Sequence, residues 1–204
     1  MFLRRIIVGQ LQANCYIVAD EKGKGFIIDP GGDGEVIVDV VKKNNLDILY
    51  IIATHAHIDH IADLEKVRNF TDARFLLHPL DVPFLEDPDL NLSNLMYDPR
   101  VFPHPDRLLK NKEKIMVGSI EFEVIHTPGH TPGSVCIRVN KYIFTGDTLF
   151  CTGIGRVDLP GGNFQTLQNS IRDKIFSLPE DTEIFPGHGP ESTVEKEKRE
   201  NPFV

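Results

Sequence analysis

The stretch His55-Ala56-His57-Ile58-Asp59-His60 places four potential metal donors within six residues, directly after the apolar run 47–53. In an extended segment side chains alternate with a period of two, so His55 and His57 project to one side and can chelate a single ion. Ile58, Ile61, Ala62, Leu64 and Val67 then fall at helical spacing. That puts Asp59 and His60 at a helix N-terminus, at a fixed angle to the first pair. Gathering nitrogen and oxygen donors this densely is costly unless a cation neutralises and orders them, so a metal centre is expected here.

Outward from this motif, strands come first with helices between. Residues 4–8, 14–19 and 25–29 are short apolar or β-branched runs separated by Gly9 and the Lys22-Gly23-Lys24-Gly25 turn, which predicts an opening meander. Val36, Ile37, Val40 and Val41 predict a helix over 34–43, stopped by Asn44-Asn45. Residues 47–53 and 74–78 return as buried strands, giving an alternating α/β order. Over 79–105 the pattern breaks under six prolines, and this irregular segment reads as a lid or wall of an active site. Strands resume at 114–117, 120–125, 134–139 and 142–145, which implies a second sheet. A helix over 164–176 follows, with Phe164, Leu167, Ile171 and Ile175 on one face, then a strand at 182–185. Ser192 and Glu195 form a possible capping box for a last helix through Glu200. A single domain over 1–204 fits this length, with 41% hydrophobic residues to fill one core.

Three further donors share one local arrangement, a strand followed by a Gly-containing turn: His130 in Pro128-Gly129-His130, Asp147 in Thr145-Gly146-Asp147, and His188 in Pro186-Gly187-His188. With the first four they make seven, more than one tetrahedral ion uses but suited to two ions sharing a carboxylate and a water. The first site would take His55, His57 and His130, the second Asp59, His60 and His188, with Asp147 bridging both. Two divalent cations are the expected cofactors. Zinc is the first choice, although imidazole and carboxylate also accept iron or manganese.

The remaining composition narrows the partners. Net charge is −8, from 22 basic and 30 acidic side chains, with only a short basic group at Lys196, Lys198 and Arg199; no nucleic-acid partner is expected. No apolar run approaches the roughly 18 residues of a membrane span, and the first ten residues lack a signal-peptide pattern, so no membrane partner and a cytoplasmic location are expected. Cys15, Cys136 and Cys151 form no close-spaced pair, which fits a reducing compartment. Cys151 reads as a small buried apolar residue, and His78, His104 and His126 as surface or packing groups.

Taken with these seven donors, the chain resembles the metallo-β-lactamase superfamily, whose hallmark is His-x-His-x-Asp-His followed by separated His, Asp and His. Within it the chain looks most like the short branch of hydroxyacylglutathione hydrolases, or glyoxalase II. The stretches that carry the likeness are Asn14-Cys15-Tyr16, 54–60, 127–134, 144–150, 155–162, 186–190 and Asn201-Pro202-Phe203. The resemblance implies a four-layer αββα sandwich with mixed sheets, metals at one sheet edge, and the ligand roles given above. It also implies substrate binding at Arg156, which matches a substrate-binding lysine of longer relatives; an ion pair with Asp158, where those relatives have a tyrosine, is the other reading of Arg156. The longer enzymes continue past the counterpart of Glu200 into a helical domain with basic contacts to glutathione. No such domain is expected here, which leaves the thiol carrier open.

The expected chemistry is hydrolysis of a small-molecule thioester such as S-lactoylglutathione by a metal-bridging hydroxide, with Asp59 as the catalytic carboxylate that orients it. A thiolate leaves unaided because a thiol pKa lies near 8.5, whereas a β-lactam nitrogen needs protonation and no acid is evident. A single-iron persulfide dioxygenase, on the strength of Gly155-Arg156-Val157-Asp158, and another ester or lactone hydrolase are the alternatives.

Overall fold

Alternating side-chain direction along strands buried on both faces is what builds the layers. In the computed structural model, which describes all 204 residues, the first sheet opens as an antiparallel meander of β1 (Phe2–Val8), β2 (Ala13–Ala19) and β3 (Lys24–Ile28), with Ile6 opposite Cys15 and Val18 opposite Phe26. It continues in parallel through β4 (Asp47–Ile52), β5 (Arg74–Leu77) and β6 (Arg107–Leu108). The helices α1 (Gly34–Lys43), α2 (Ile58–Ile61), α3 (Leu64–Thr71) and α4 (Val82–Glu86) fill the connections between these parallel strands. The second sheet is also mixed. An antiparallel meander runs through β7 (Lys114–Val117), β8 (Ile120–His126), β9 (Val135–Val139) and β10 (Tyr142–Gly146). After the hairpin β11 (Leu149–Phe150) and β12 (Gly153–Ile154), strand β13 (Glu183–Pro186) joins β10 in parallel, and β14 (Ser192–Thr193) closes the edge. The last helices are α5 (Phe164–Ser170), followed by a π-helical turn at Ile171–Ile175, and α6 (Val194–Glu200).

Three apolar clusters lie between four layers, as a period of two on each strand requires. Cys15, Ile17, Ile27, Ile51 and Phe75 face outward from the first sheet onto Ile37, Val41, Leu64, Val67 and Phe84 of α1, α3 and α4. Their neighbours Tyr16, Val18, Phe26, Ile28, Ile52 and Leu76 face the other way, onto Phe122, Val124, Ile137 and Phe144 of the second sheet. Cys136, Ile143 and Ile184 point out from that sheet onto Leu167, Ile171, Ile175 and Val194. The architecture is therefore the expected αββα sandwich. No helix is long and apolar enough to cross a membrane.

Several local expectations are corrected. The helix after the histidine motif is two helices, because Asp63 is held from outside: its N–H donates to the Pro30 carbonyl and its carboxylate accepts from the Gly34 N–H at 2.6 Å. Thr193, not Ser192, caps α6 by accepting from the Lys196 N–H, while the Ser192 hydroxyl donates to Glu197. The segment 79–105 holds α4 and two short 3-10 turns, Pro79–Asp81 and Asn94–Met96. Cys151 is half-buried rather than a packed apolar residue, and the Lys196 ammonium lies 3.2 Å from its sulfur.

Candidate metal centre

Strand direction brings the donors together. β3 and β4 run parallel in one sheet; β8, β10 and β13 share a direction in the other, since β9 lies antiparallel between β8 and β10. His55 and His57 follow β4, His130 follows β8, Asp147 follows β10 and His188 follows β13. Asp59 and His60 sit on α2, immediately beyond His57. The sheets are stitched at this edge by Val135 N–H to the Thr54 carbonyl and Asn14 N–H to the Gly187 carbonyl. Gly187 has to be glycine here: a Cβ would lie 2.3 Å from Asp147 Oδ1 and 2.8 Å from His60 Cε1.

All seven predicted donors meet at this edge. His130 Nε2 lies 3.2 Å from His55 Nε2 and 3.0 Å from His57 Nδ1. Nitrogen ligands about 2.0–2.1 Å from a tetrahedral ion are roughly 3.3 Å apart, so this trio matches the spacing one cation imposes. On the other side, Asp59 Oδ2 lies 3.2 Å from His188 Nε2 and 3.7 Å from His60 Nε2. Asp147 spans the two groups: Oδ1 is 3.3 Å from His60 Nε2, and Oδ2 is 3.6 Å from His130 Nε2. His60 Nε2 and Asp147 Oδ1 are buried at this convergence without a hydrogen-bond partner. Buried polar atoms are normally satisfied, so a cluster of unpaired ones aimed at each other fits a cation.

Three of the five rings are oriented from behind. The His60 Nδ1–H donates to Asp29 at 2.9 Å, and the His130 Nδ1–H donates to the Arg156 carbonyl at 2.8 Å, which leaves each Nε2 lone pair facing the cluster. Asp29 also accepts from the N–H and hydroxyl of Thr54, whose oxygen lies 3.1 Å from His55 Nδ1. Asp81 accepts from the Ala56 N–H, the Thr131 hydroxyl and the Gly133 N–H. Sequence reading missed both carboxylates. Asp29 carries the same signal as the ligands, a strand end followed by Pro30-Gly31-Gly32; Asp81 has none.

Burial pushes His55 well below the ordinary imidazole value, and crowding by its neighbours adds to this. His57 is pushed down to about 3, by burial and then by His130. Burial opposes a charge on His60 too, but Asp59, Asp147 and Asp29 outweigh it and hold its pKa well above the usual value. His188 is likewise raised, burial losing to Asp59 and Asp147. Burial would raise Asp147, yet His60, His130 and His188 hold it far below the usual carboxylate range. His55 and His57 are thus held as neutral lone-pair donors and Asp59 and Asp147 as anionic ones, while the carboxylates around His60 and His188 favour positive charge on that side of the cluster.

A mouth of about 310 Å³ opens onto the cluster, lined by Leu11, Leu92, Phe150, Ile154 and Leu159 beside the donors. Arg156 stands at its rim in a two-point ion pair with Asp158, at 3.0 and 2.8 Å, so its charge is locally balanced. Leu92 makes the segment 79–105 part of this wall. His104 pairs with Glu86 at the surface, and His126 stacks on His78 with ring centroids 4.1 Å apart.

The profile of the metallo-beta-lactamase superfamily matches residues 8–188. The chain is 42% identical to the probable metallo-hydrolase YqgX of Bacillus subtilis, over 98% of this chain and 96% of that one. It is 33% identical to the hydroxyacylglutathione hydrolase GloC of Haemophilus influenzae, over 100% and 98% respectively. Among solved structures, the B3 metallo-beta-lactamase BLEG-1 superposes with a TM-score of 0.95 at 41% identity, covering 99% of each chain. TTHA1623 in a di-iron-bound form superposes at 0.89 with 36% identity, covering 98% of this chain and 100% of that one.

Proposed function

Since the chain belongs to the metallo-beta-lactamase superfamily, we propose that it is a two-cation hydrolase of small-molecule thioesters. The observation that carries this reading is the convergence of two donor triads around one shared carboxylate, Asp147. His55, His57 and His130 would hold one divalent ion and Asp59, His60 and His188 the other. Ions bound there lower the pKa of water toward neutrality and polarise a carbonyl. Zinc suits the donor set; so does iron, and TTHA1623 is a relative known in a di-iron-bound form.

The chain's own groups do the rest. Asp59, at the edge of the mouth, accepts a hydrogen bond from the attacking water and aims it at the carbonyl carbon. Leu92, Phe150, Ile154 and Leu159 exclude bulk water and hold apolar parts of the substrate. No Lys, His or Cys outside the donor set lines the mouth to act as a general acid. That favours a leaving group that departs as an anion, and a thiolate with a pKa near 8.5 does so. The likeness to GloC supports an acylated thiol as substrate, S-lactoylglutathione being the first to try. The complete second triad weighs against a single-iron persulfide dioxygenase, which has no chemical need for it.

The test is a panel of thioesters, lactones and glutathione persulfide offered to protein loaded with zinc or iron, with thiol release and oxygen uptake followed together. Thiol release without oxygen uptake is expected. Oxygen uptake with the persulfide and no thioester turnover would reverse the assignment.

A further inference from the structure

We infer that Asp81 is a positioning residue for the His55, His57 and His130 half of the centre, clasping the two loops that carry those histidines. This rests on the two-cation reading. Asp81 is fully buried at the end of the 3-10 turn Pro79–Asp81, on the segment that forms the site's wall. Its Oδ2 accepts from the Ala56 N–H at 3.2 Å and the Thr131 hydroxyl at 2.8 Å, and its Oδ1 accepts from the Gly133 N–H at 2.7 Å. Ala56 lies between His55 and His57, and Thr131 follows His130. One carboxylate therefore ties the backbone of the loop after β4 to that of the loop after β8, 25 and 50 residues away.

The Val135 N–H to Thr54 carbonyl bond joins the same two segments at their base, and Asp81 ties them beside the histidines themselves. The Thr131 hydroxyl is held in turn by Ser134 Oγ at 2.7 Å, which fixes its direction toward Asp81. Gly133 comes so near that a Cβ there would stand 2.5 Å from Asp81 Oδ1. Three donors meet two acceptor oxygens, so an amide cannot substitute: Asn keeps one acceptor and turns an NH₂ toward groups that themselves donate. The other half is oriented separately, through Asp29 and the His60 ring. Loss of Asp81 should therefore loosen one half of the centre and spare the other.

The experiment measures zinc affinity by competition with a chromophoric chelator, with D81N placed in two backgrounds. In His188→Ala only the three-histidine set is intact; in His57→Ala only the Asp59, His60 and His188 set is. D81N is expected to weaken zinc at least about tenfold in the first background and less than about threefold in the second, the range supporting groups around metal ligands show. Hydrogen exchange of the Ala56 and Gly133 amides should rise in parallel. Asp20→Asn is the control for general destabilisation: that carboxylate accepts from Lys22, Lys24 and Ser119 at the opposite edge of the sandwich. Equal weakening in both backgrounds, or the same weakening from Asp20→Asn, would overturn the inference, as would unchanged affinity of D81N in His188→Ala. If D81N does not fold, Thr131→Val removes one bond of the three and should show the same ranking at smaller size, with Thr131→Ser restoring it. Wild-type protein that takes up no zinc would sink the two-cation reading as a whole, a result separable from failure of the clasp alone.

Discussion

The two halves of the donor cluster are built from different materials. His55, His57 and His130 are at most 2% exposed and carry no carboxylate of their own, and burial keeps His55 and His57 as neutral imidazoles. Asp59, Asp147 and His188 keep 16%, 12% and 26% of their side chains exposed, and there the balance of charge, rather than burial, sets protonation. On the two-cation reading, the sealed half would serve as a permanent seat and the open half as the face presented to substrate. The contrast shows how one sheet edge can hold two unlike sites: the strands place every donor, and the carboxylates gathered around it decide its electrostatics, since His60 is as buried as His55 yet is shifted the other way.

The largest effect should come from breaking either half. His57→Ala and His188→Ala are both expected to lower kcat/KM by at least about a thousandfold, on the order of 4 kcal/mol of transition-state stabilisation. They should differ under a chelator. His188→Ala is expected to retain one cation through dialysis and His57→Ala to retain none, as elemental analysis would count. Equal retention would erase the distinction between seat and face.

A smaller effect should follow from the carboxylate behind the open half. Asp29→Asn leaves the His60 Nδ1–H and the Thr54 groups competing for one acceptor, and should weaken the second cation about 10- to 100-fold while the first stays in place. It should also lower stability by about 1–3 kcal/mol, the usual consequence of an unsatisfied buried donor, read from urea midpoints. Loss of the first cation instead would mean that Asp29 acts through Thr54 and His55.

All seven converging donors could be found in the sequence because His and Asp of metal-binding type stand out by type and by position at strand ends. The period of two likewise predicts which strand faces which layer, as Cys15 and Tyr16 illustrate by pointing into different clusters. Less visible were features made by distant partners. β6, β11, β12 and β14 are two residues each and exist only through their pairing. The break after α2 depends on Pro30 and Gly34 reaching Asp63. Asp29 and Asp81 act on residues 25 or more positions away, and no spacing rule links a supporting carboxylate to the ligand it steadies.

Acid should attack the sealed half through its scaffold. His78 is pushed down to about 4 by burial and then by its stacked partner His126, which is itself lowered by burial. The His126 Nε2–H donates to the Pro132 carbonyl, in the loop that carries His130. Because the folded pKa of His78 lies below its unfolded value near 6.5, the unfolded chain binds more protons between about pH 6.5 and 4. The contribution is whole above pH 6.5 and is lost as pH falls through that window. For this ring, buried but stacked on the partly exposed His126, it amounts to about 1–2 kcal/mol, less than the full shift would give. His78→Asn, which can still cap the turn at Leu80, should flatten the decline in thermal melts between pH 7 and 4.5; an unchanged slope would put acid sensitivity elsewhere.

The smallest effect concerns the mouth of the open half, where Arg156 and Asp158 are each 68% exposed and paired. An exposed pair of this kind is weak, but it leaves no net positive charge to attract a carboxylate-bearing thiol carrier. Asp158→Asn frees the guanidinium without moving an apolar wall. KM for S-lactoylglutathione should then fall about two- to threefold at low salt, a gain screened away as ionic strength rises, while KM for an uncharged thioester stays as it was. A fall for both substrates would show that Asp158 limits access by bulk. No change for either would take Arg156 out of substrate binding and leave the apolar wall of Leu92, Phe150, Ile154 and Leu159 as the part of the mouth that selects.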